Sequence, residues 1–79
     1  MIFLYYFMAE KFREFKTSSG KIVLSGKDAA SNEEIIKQVN SNEVVLHTAS
    51  PGSPFVNIKS KNPGTSDIKE AAVFCAKYS

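Results

Sequence analysis

Leu46-His47-Thr48-Ala49-Ser50-Pro51-Gly52-Ser53-Pro54-Phe55-Val56-Asn57-Ile58-Lys59 reads as a strand ending in a histidine, a small polar turn and a returning strand. Val44-Val45-Leu46 is a short apolar run, Ser50-Pro51-Gly52-Ser53 has the composition of a turn, and Phe55 to Lys59 forms the return. Working toward the N-terminus, Asn40-Ser41-Asn42 breaks a preceding helix. Ser31 followed by Glu34 makes a capping box that starts it, and Ile35, Ile36 and Val39 form its buried face. Gly26 ends a strand in which Ile22 and Leu24 alternate, and Ser18-Ser19-Gly20 turns the chain in front of it. Before that turn, Arg13, Phe15 and Thr17 share one side of an extended chain, while Met8, Phe12 and Phe15 also fit helical spacing, so two readings compete.

Working toward the C-terminus, Lys61-Asn62-Pro63-Gly64 precedes a second helix with Thr65 or Ser66 as N-cap. Asp67 and Glu70 suit its positive end. Ile68, Ala71, Ala72 and Cys75 recur at i, i+3, i+4 and i+7 as a core-facing stripe, which Tyr78 extends.

The chain has 79 residues, room for one small domain whose core is marginal at that length. A hydrophobic content of 43% with 23% charged residues is that of a folded domain rather than a disordered one. Ten Lys and Arg against eight Asp and Glu leave a net charge of +2, so distribution carries more information than the sum. No acidic residue stands between His47 and Ser66, whereas Lys59 and Lys61 do. The apolar opening Met1-Ile2-Phe3-Leu4-Tyr5-Tyr6-Phe7 is far shorter than the roughly 20 residues that cross a bilayer, and it lacks the pattern of a secretory signal. With one cysteine and no export signal, a cytoplasmic setting without membrane attachment is expected. Met8-Ala9-Glu10-Lys11 reads like an ordinary start, which leaves residues 1–7 as an upstream extension or as an edge strand.

Catalytic constellations are poorly supported. Five residues separate Gly20 from Gly26 and Asp28 stands where a phosphate-binding loop needs Ser or Thr, so that motif is absent. His47 is the only histidine, and no third residue is placed to orient it toward Ser50 or Ser53 as a nucleophile. Cys75 falls on an apolar helix face, and one histidine with one cysteine builds no closed metal site. No catalytic residue, metal or cofactor is therefore expected. RNA binding fits better, because cations hold phosphates while polar and flat side chains meet sugars and bases. Lys27, Asn32, His47, Ser50, Ser53, Lys59 and Lys61 are the candidate contacts, and the exposed amides of the 50–53 turn form a candidate anion nest.

Gly26-Lys27-Asp28, Asn32-Glu33, His47, Pro51-Gly52-Ser53 and the terminal Ala71-Ala72 with Tyr78-Ser79 resemble the NFACT-R domain, the RNA-binding module of the NFACT proteins of ribosome-associated quality control. The resemblance implies contact with tRNA or rRNA, selects the strand over the helix before Gly20, and covers the first half to two-thirds of such a domain. A truncated domain, incomplete at its C-terminus, is therefore expected for residues 8–79. Glu43-Val44-Val45-Leu46-His47 lacks the two aromatic residues that many members carry before the histidine. Pro54-Phe55 stands where a second histidine often follows Gly-Ser. The expected architecture is an α+β domain ordered β-β-α-β-β-α, two-layered, with both helices on one face of a mainly antiparallel sheet. The rival function is a protein-interaction or oligomerisation module that pairs through an open sheet edge.

Overall fold

The computed structural model describes residues 11–50 and 52–78. The apolar run 1–7 lies outside the described residues. Among the described residues four strands and two helices follow in the expected order: β1 (Arg13–Lys16), β2 (Ile22–Ser25), α1 (Ala29–Gln38), β3 (Val44–Leu46), β4 (Val56–Ile58) and α2 (Thr65–Lys77). The sheet order is β1-β2-β4-β3 and every neighbouring pair is antiparallel. Because β2 and β3 each run antiparallel to the intervening β4, they are parallel to one another, and α1 is the connection that crosses between them.

The α+β class and the strand reading of residues 13–16 hold, but the two-layer arrangement does not. Val23 packs with Val56 and Ile58 against Ala71 and Cys75 of α2. Its neighbour Leu24 packs with Phe12 against Ile35 of α1. Successive residues of a strand face opposite ways, so the helices cover opposite faces and the sheet lies between them. The cause is written in Ile22-Val23-Leu24, which is apolar at consecutive positions and not only at the alternating pair Ile22 and Leu24. Such a run marks a strand buried on both faces.

The hairpin turns where expected. Gly20 donates to the Thr17 carbonyl at 2.8 Å and has φ of +93°, a conformation that glycine adopts without steric cost. The helix starts differ from the sequence reading. Asp28, not Ser31, is the N-cap of α1: its carboxylate accepts from the Ser31 amide at 2.8 Å, and the Ser31 hydroxyl accepts from the Asp28 amide at 3.0 Å. The capping box is thus displaced by three residues, and it adds almost a full turn that carries Ile35 to the sheet. Ile36 is left 48% exposed. At α2 the N-cap is Gly64, whose amide donates to Asp67 at 2.8 Å. Ala71 and Cys75 are buried as the stripe requires, whereas Ala72 and Tyr78 are exposed.

Two polar groups tie the helices to the sheet. Asn57 is fully buried in β4, accepting from Gln38 of α1 at 2.8 Å and donating to the Val44 carbonyl at 3.2 Å. Asp67, 2% exposed, accepts from the hydroxyls of Thr17 at 2.7 Å and Ser19 at 2.6 Å, which docks the β1–β2 turn on the start of α2. Those hydroxyls, Ser19 foremost, hold the Asp67 carboxyl below the usual carboxylate range, helped by the Gly64 amide.

Candidate nucleic-acid interface

The register of β4 divides the candidate residues between the two ends of the sheet. At one end Gly26 donates to the Phe55 carbonyl at 3.1 Å; at the other, Lys59 donates to the Ile22 carbonyl at 2.8 Å. Phe55 and Lys59 are four residues apart on an extended chain, about 13 Å. Lys27, Asn32, His47, Ser50 and Ser53 therefore gather at the first end. Lys59 and Lys61 do not join them, so the seven candidate residues do not share one edge.

Lys59 is engaged where it stands. Its ammonium lies 2.8 Å from Glu43, whose side chain is only 7% exposed, and 3.5 Å from the Gln38 carbonyl. Burial pushes the Glu43 carboxyl up, but hydrogen bonds from Lys59 and the Asn40 amide outweigh it and leave the carboxyl below its ordinary value. Glu43 thus closes both the α1–β3 turn and the end of β4. Lys61 is exposed in the loop that leads to α2.

At the first end, each candidate side chain has a distinct placement. Leu46 pairs with Val56, so His47 and Phe55 leave the sheet side by side, and their rings stack with centroids 4.3 Å apart and planes inclined by 22°. His47 is exposed and Phe55 half-buried, so the flat surface at this edge is an imidazole backed by a phenyl ring. Asn32 has a structural task, as its carbonyl oxygen accepts from the Phe55 amide at 3.0 Å. A Cβ on Gly26 would lie 2.0 Å from that same oxygen, so only glycine lets α1 approach. Ser53 is 2% exposed, with its hydroxyl accepting from the Thr48 amide at 3.2 Å and donating to the Pro54 carbonyl at 3.3 Å. Ser53 shapes the turn from within rather than presenting a group to solvent. Ser50 is exposed; its amide donates to Thr48 at 3.3 Å and its carbonyl accepts from the Ser53 amide at 3.2 Å, leaving those two amides committed inside the turn. Lys27 is exposed between β2 and α1, and its amide donates to the Ser31 hydroxyl at 2.7 Å. Beside it the Asp28 carboxyl is held low by the Ser31 amide and hydroxyl.

A concavity of about 220 Å³ opens at this end, with Arg13, Lys27, Asn32, Gly52 and Tyr78 in its wall. Arg13 and Tyr78 were not among the sequence candidates. Arg13 opens a strand that is an edge among the described residues, and the spacing of Tyr78 puts it on the core stripe of α2, so neither carries a local signal of a site. The fold joins them because Arg13 pairs with Ser25 at the same end of β2 where α2 terminates.

Among the described residues no group of three or more His, Cys, Asp and Glu is arranged to hold a metal ion, and no helix is long and apolar enough to cross a membrane. The Cys75 thiol is buried, 3.6 Å from the Pro54 carbonyl. The arrangement offers cations, a stacked ring pair and exposed polar groups along one end of a rigid sheet.

Comparison with known proteins bears on that arrangement. An archaeal Rqc2 homologue, aRqcH of Methanocaldococcus jannaschii, is 34% identical over 73 residues, covering 89% of this chain and 11% of the relative. The ribosome quality control complex subunit 2 of Schizosaccharomyces pombe is 38% identical over 58 residues, 72% of this chain and 6% of the relative. The chain thus spans about a tenth or less of the length of these two relatives. No solved structure gives a significant match. Residues 11–79 match the family described as the NFACT protein RNA binding domain, and the chain belongs to that family.

Proposed function

We propose that this domain binds RNA without catalysing a reaction on it, through the end of the sheet that carries Lys27, His47 and Ser50. Family membership supports the RNA class. The observation that carries the location is the convergence of Lys27 with the exposed His47 ring, backed by half-buried Phe55, at the β2–α1 and β3–β4 junctions. Lysine neutralises phosphate, and a backed, flat imidazole offers a base a surface that is already ordered. The two relatives are named for ribosome quality control, which supports a cytoplasmic role in that process with tRNA or rRNA as the ligand. Titration of labelled tRNA, an rRNA fragment and a single-stranded oligonucleotide tests this reading. Binding that weakens steeply with salt and is reduced by Lys27→Ala supports it; no binding even at low salt overturns it.

A second reading has its own observation. β1 and β3 are the edge strands among the described residues, and Val45 on β3 is 36% exposed. A partner strand or a second copy would pair there with little sensitivity to salt. A salt-resistant dimer in sedimentation, unaffected by RNase, is its signature.

A further inference from the structure

Around Arg13 the chain builds a surface that neither its composition nor its stripe of helix residues announces. The guanidinium lies 4.2 Å from the centroid of the Tyr78 ring, and it donates to the Gly26 carbonyl at 3.3 Å. Tyr78 is fixed in turn by an edge contact with Phe74 at 5.1 Å, and Phe74 by Phe15 at 4.4 Å. The guanidinium therefore sits over a ring that an aromatic cluster ties to the core. Among the described residues no carboxylate forms an ion pair with Arg13. Its charge sits at the C-terminal, negative end of α2, where a cation is favoured.

Arg13, Lys27 and Tyr78 line two adjoining concavities, the one of about 220 Å³ described above and another of about 610 Å³ that runs along β1 to Lys16. Half-buried Glu14 also lines the second. Three cations, Arg13, Lys16 and Lys27, against two carboxylates, Glu14 and Asp28, leave this surface net positive, which favours an anionic occupant.

We propose that the Arg13 guanidinium, held over the Tyr78 ring, is a stacking platform for a base of single-stranded RNA, with Lys16 and Lys27 receiving the flanking phosphates along the β1 edge. The inference rests on the RNA-binding reading and extends its site from the His47 end of β3 round to β1. A planar guanidinium stacks on bases as aromatic rings do, and pinning it beforehand removes the ordering cost that a free arginine bears. The shortage of aromatic residues before His47 is made good from a different part of the fold.

The test is fluorescence anisotropy of the full chain with a labelled single-stranded adenosine oligonucleotide across a salt series. Heparin serves as a polyanion without bases, and a thermal melt of every variant reports folding. Arg13→Lys keeps the charge and removes the plane, so affinity for RNA is expected to fall roughly 5- to 150-fold with an unchanged salt slope and unchanged heparin binding. Lys16→Ala is expected to lower the magnitude of the salt slope by roughly 0.7. Tyr78→Leu removes the support and should reproduce the Arg13→Lys loss. If Arg13→Lys binds RNA as wild type does while His47→Ala weakens it, this inference fails and the RNA-binding reading stands. Loss of melting temperature in Arg13→Lys without loss of affinity shows a purely structural arginine and also overturns it. If the wild-type chain binds heparin and RNA equally, the surface is a polyanion site only. A wild-type chain that binds no RNA at any salt takes both readings down together.

Discussion

Gly26 and Lys59 show how much one residue decides here. Gly26 needs space rather than an unusual backbone, since an added Cβ would meet Asn32 Oδ1 at 2.0 Å and its Cα at 3.0 Å. Gly26→Ala is expected to push α1 off the sheet end, break the Asn32–Phe55 hydrogen bond and cost about 1–3 kcal/mol in urea unfolding. A variant as stable as wild type would show that the helix start relaxes freely. Lys59 was a candidate for phosphate contact because it stands in a segment free of acidic residues, yet Glu43 reaches it from a different loop. Lys59→Ala leaves a nearly buried carboxylate without its cation. The expected loss is about 1–2 kcal/mol of stability, between the values for exposed and for buried pairs. RNA affinity of the folded variant should change little, and a drop as large as that of Lys27→Ala would return Lys59 to the interface.

At the scale of elements, the helices are held to the sheet by buried polar contacts as well as by apolar packing. Gln38 satisfies the carbonyl oxygen of fully buried Asn57. Gln38→Ala is expected to leave that oxygen unpaired and cost about 1–3 kcal/mol, whereas Gln38→Glu tests the need for a donor with the side-chain shape kept. Equal stability of all three proteins by denaturation would mean that water replaces the amide. The β1–β2 hairpin and α2 are joined through Asp67, whose folded pKa lies below the ordinary value of 3.8. A carboxyl lowered on folding adds stability in full above its unfolded pKa, and that contribution is lost as pH falls through the folded value. Stability should therefore decline with acidification below about pH 4. The decline should be shallower in Asp67→Asn, as measured by chemical denaturation at a series of pH values. An unchanged acid limb would assign it to other carboxyls.

Across the whole molecule the two ends of the sheet have different tasks. One end is tied off by Asp67 with Thr17 and Ser19, by Glu70 with Ser18, and by Glu43 with Lys59. At the other, Arg13, Lys27 and the His47–Phe55 stack stand where α1 begins and α2 ends. The division predicts a contrast between two exposed lysines. Lys27→Ala should lower the magnitude of the RNA salt slope by roughly 0.7, while Lys61→Ala, at the tied-off end, should leave slope and affinity unchanged. Equal effects of the two substitutions in the same salt titration would place RNA across the sheet rather than at one end.

Local chemistry was legible without coordinates. The order of strands and helices, the turn at Gly20, the strand Val44–Leu46 and the buried Cys75 depend on periodicity and turn residues within a few positions of one another. The capping box lay one helical turn from where it was read because Asp28-x-x-Ser31 and Ser31-x-x-Glu34 both satisfy the local rule, and packing of Ile35 on the sheet selects the first. What tertiary structure alone decided were relations between distant residues. The helices take opposite faces because both sides of β2 are apolar and each needs its own cover. Lys59 parts from Lys27 because β4 is extended between them, and Arg13 meets Tyr78 because the antiparallel register returns the start of β1 to the end of α2. Short-range sterics and burial period fix the elements. The candidate site is the sum of long-range contacts, which no local pattern encodes.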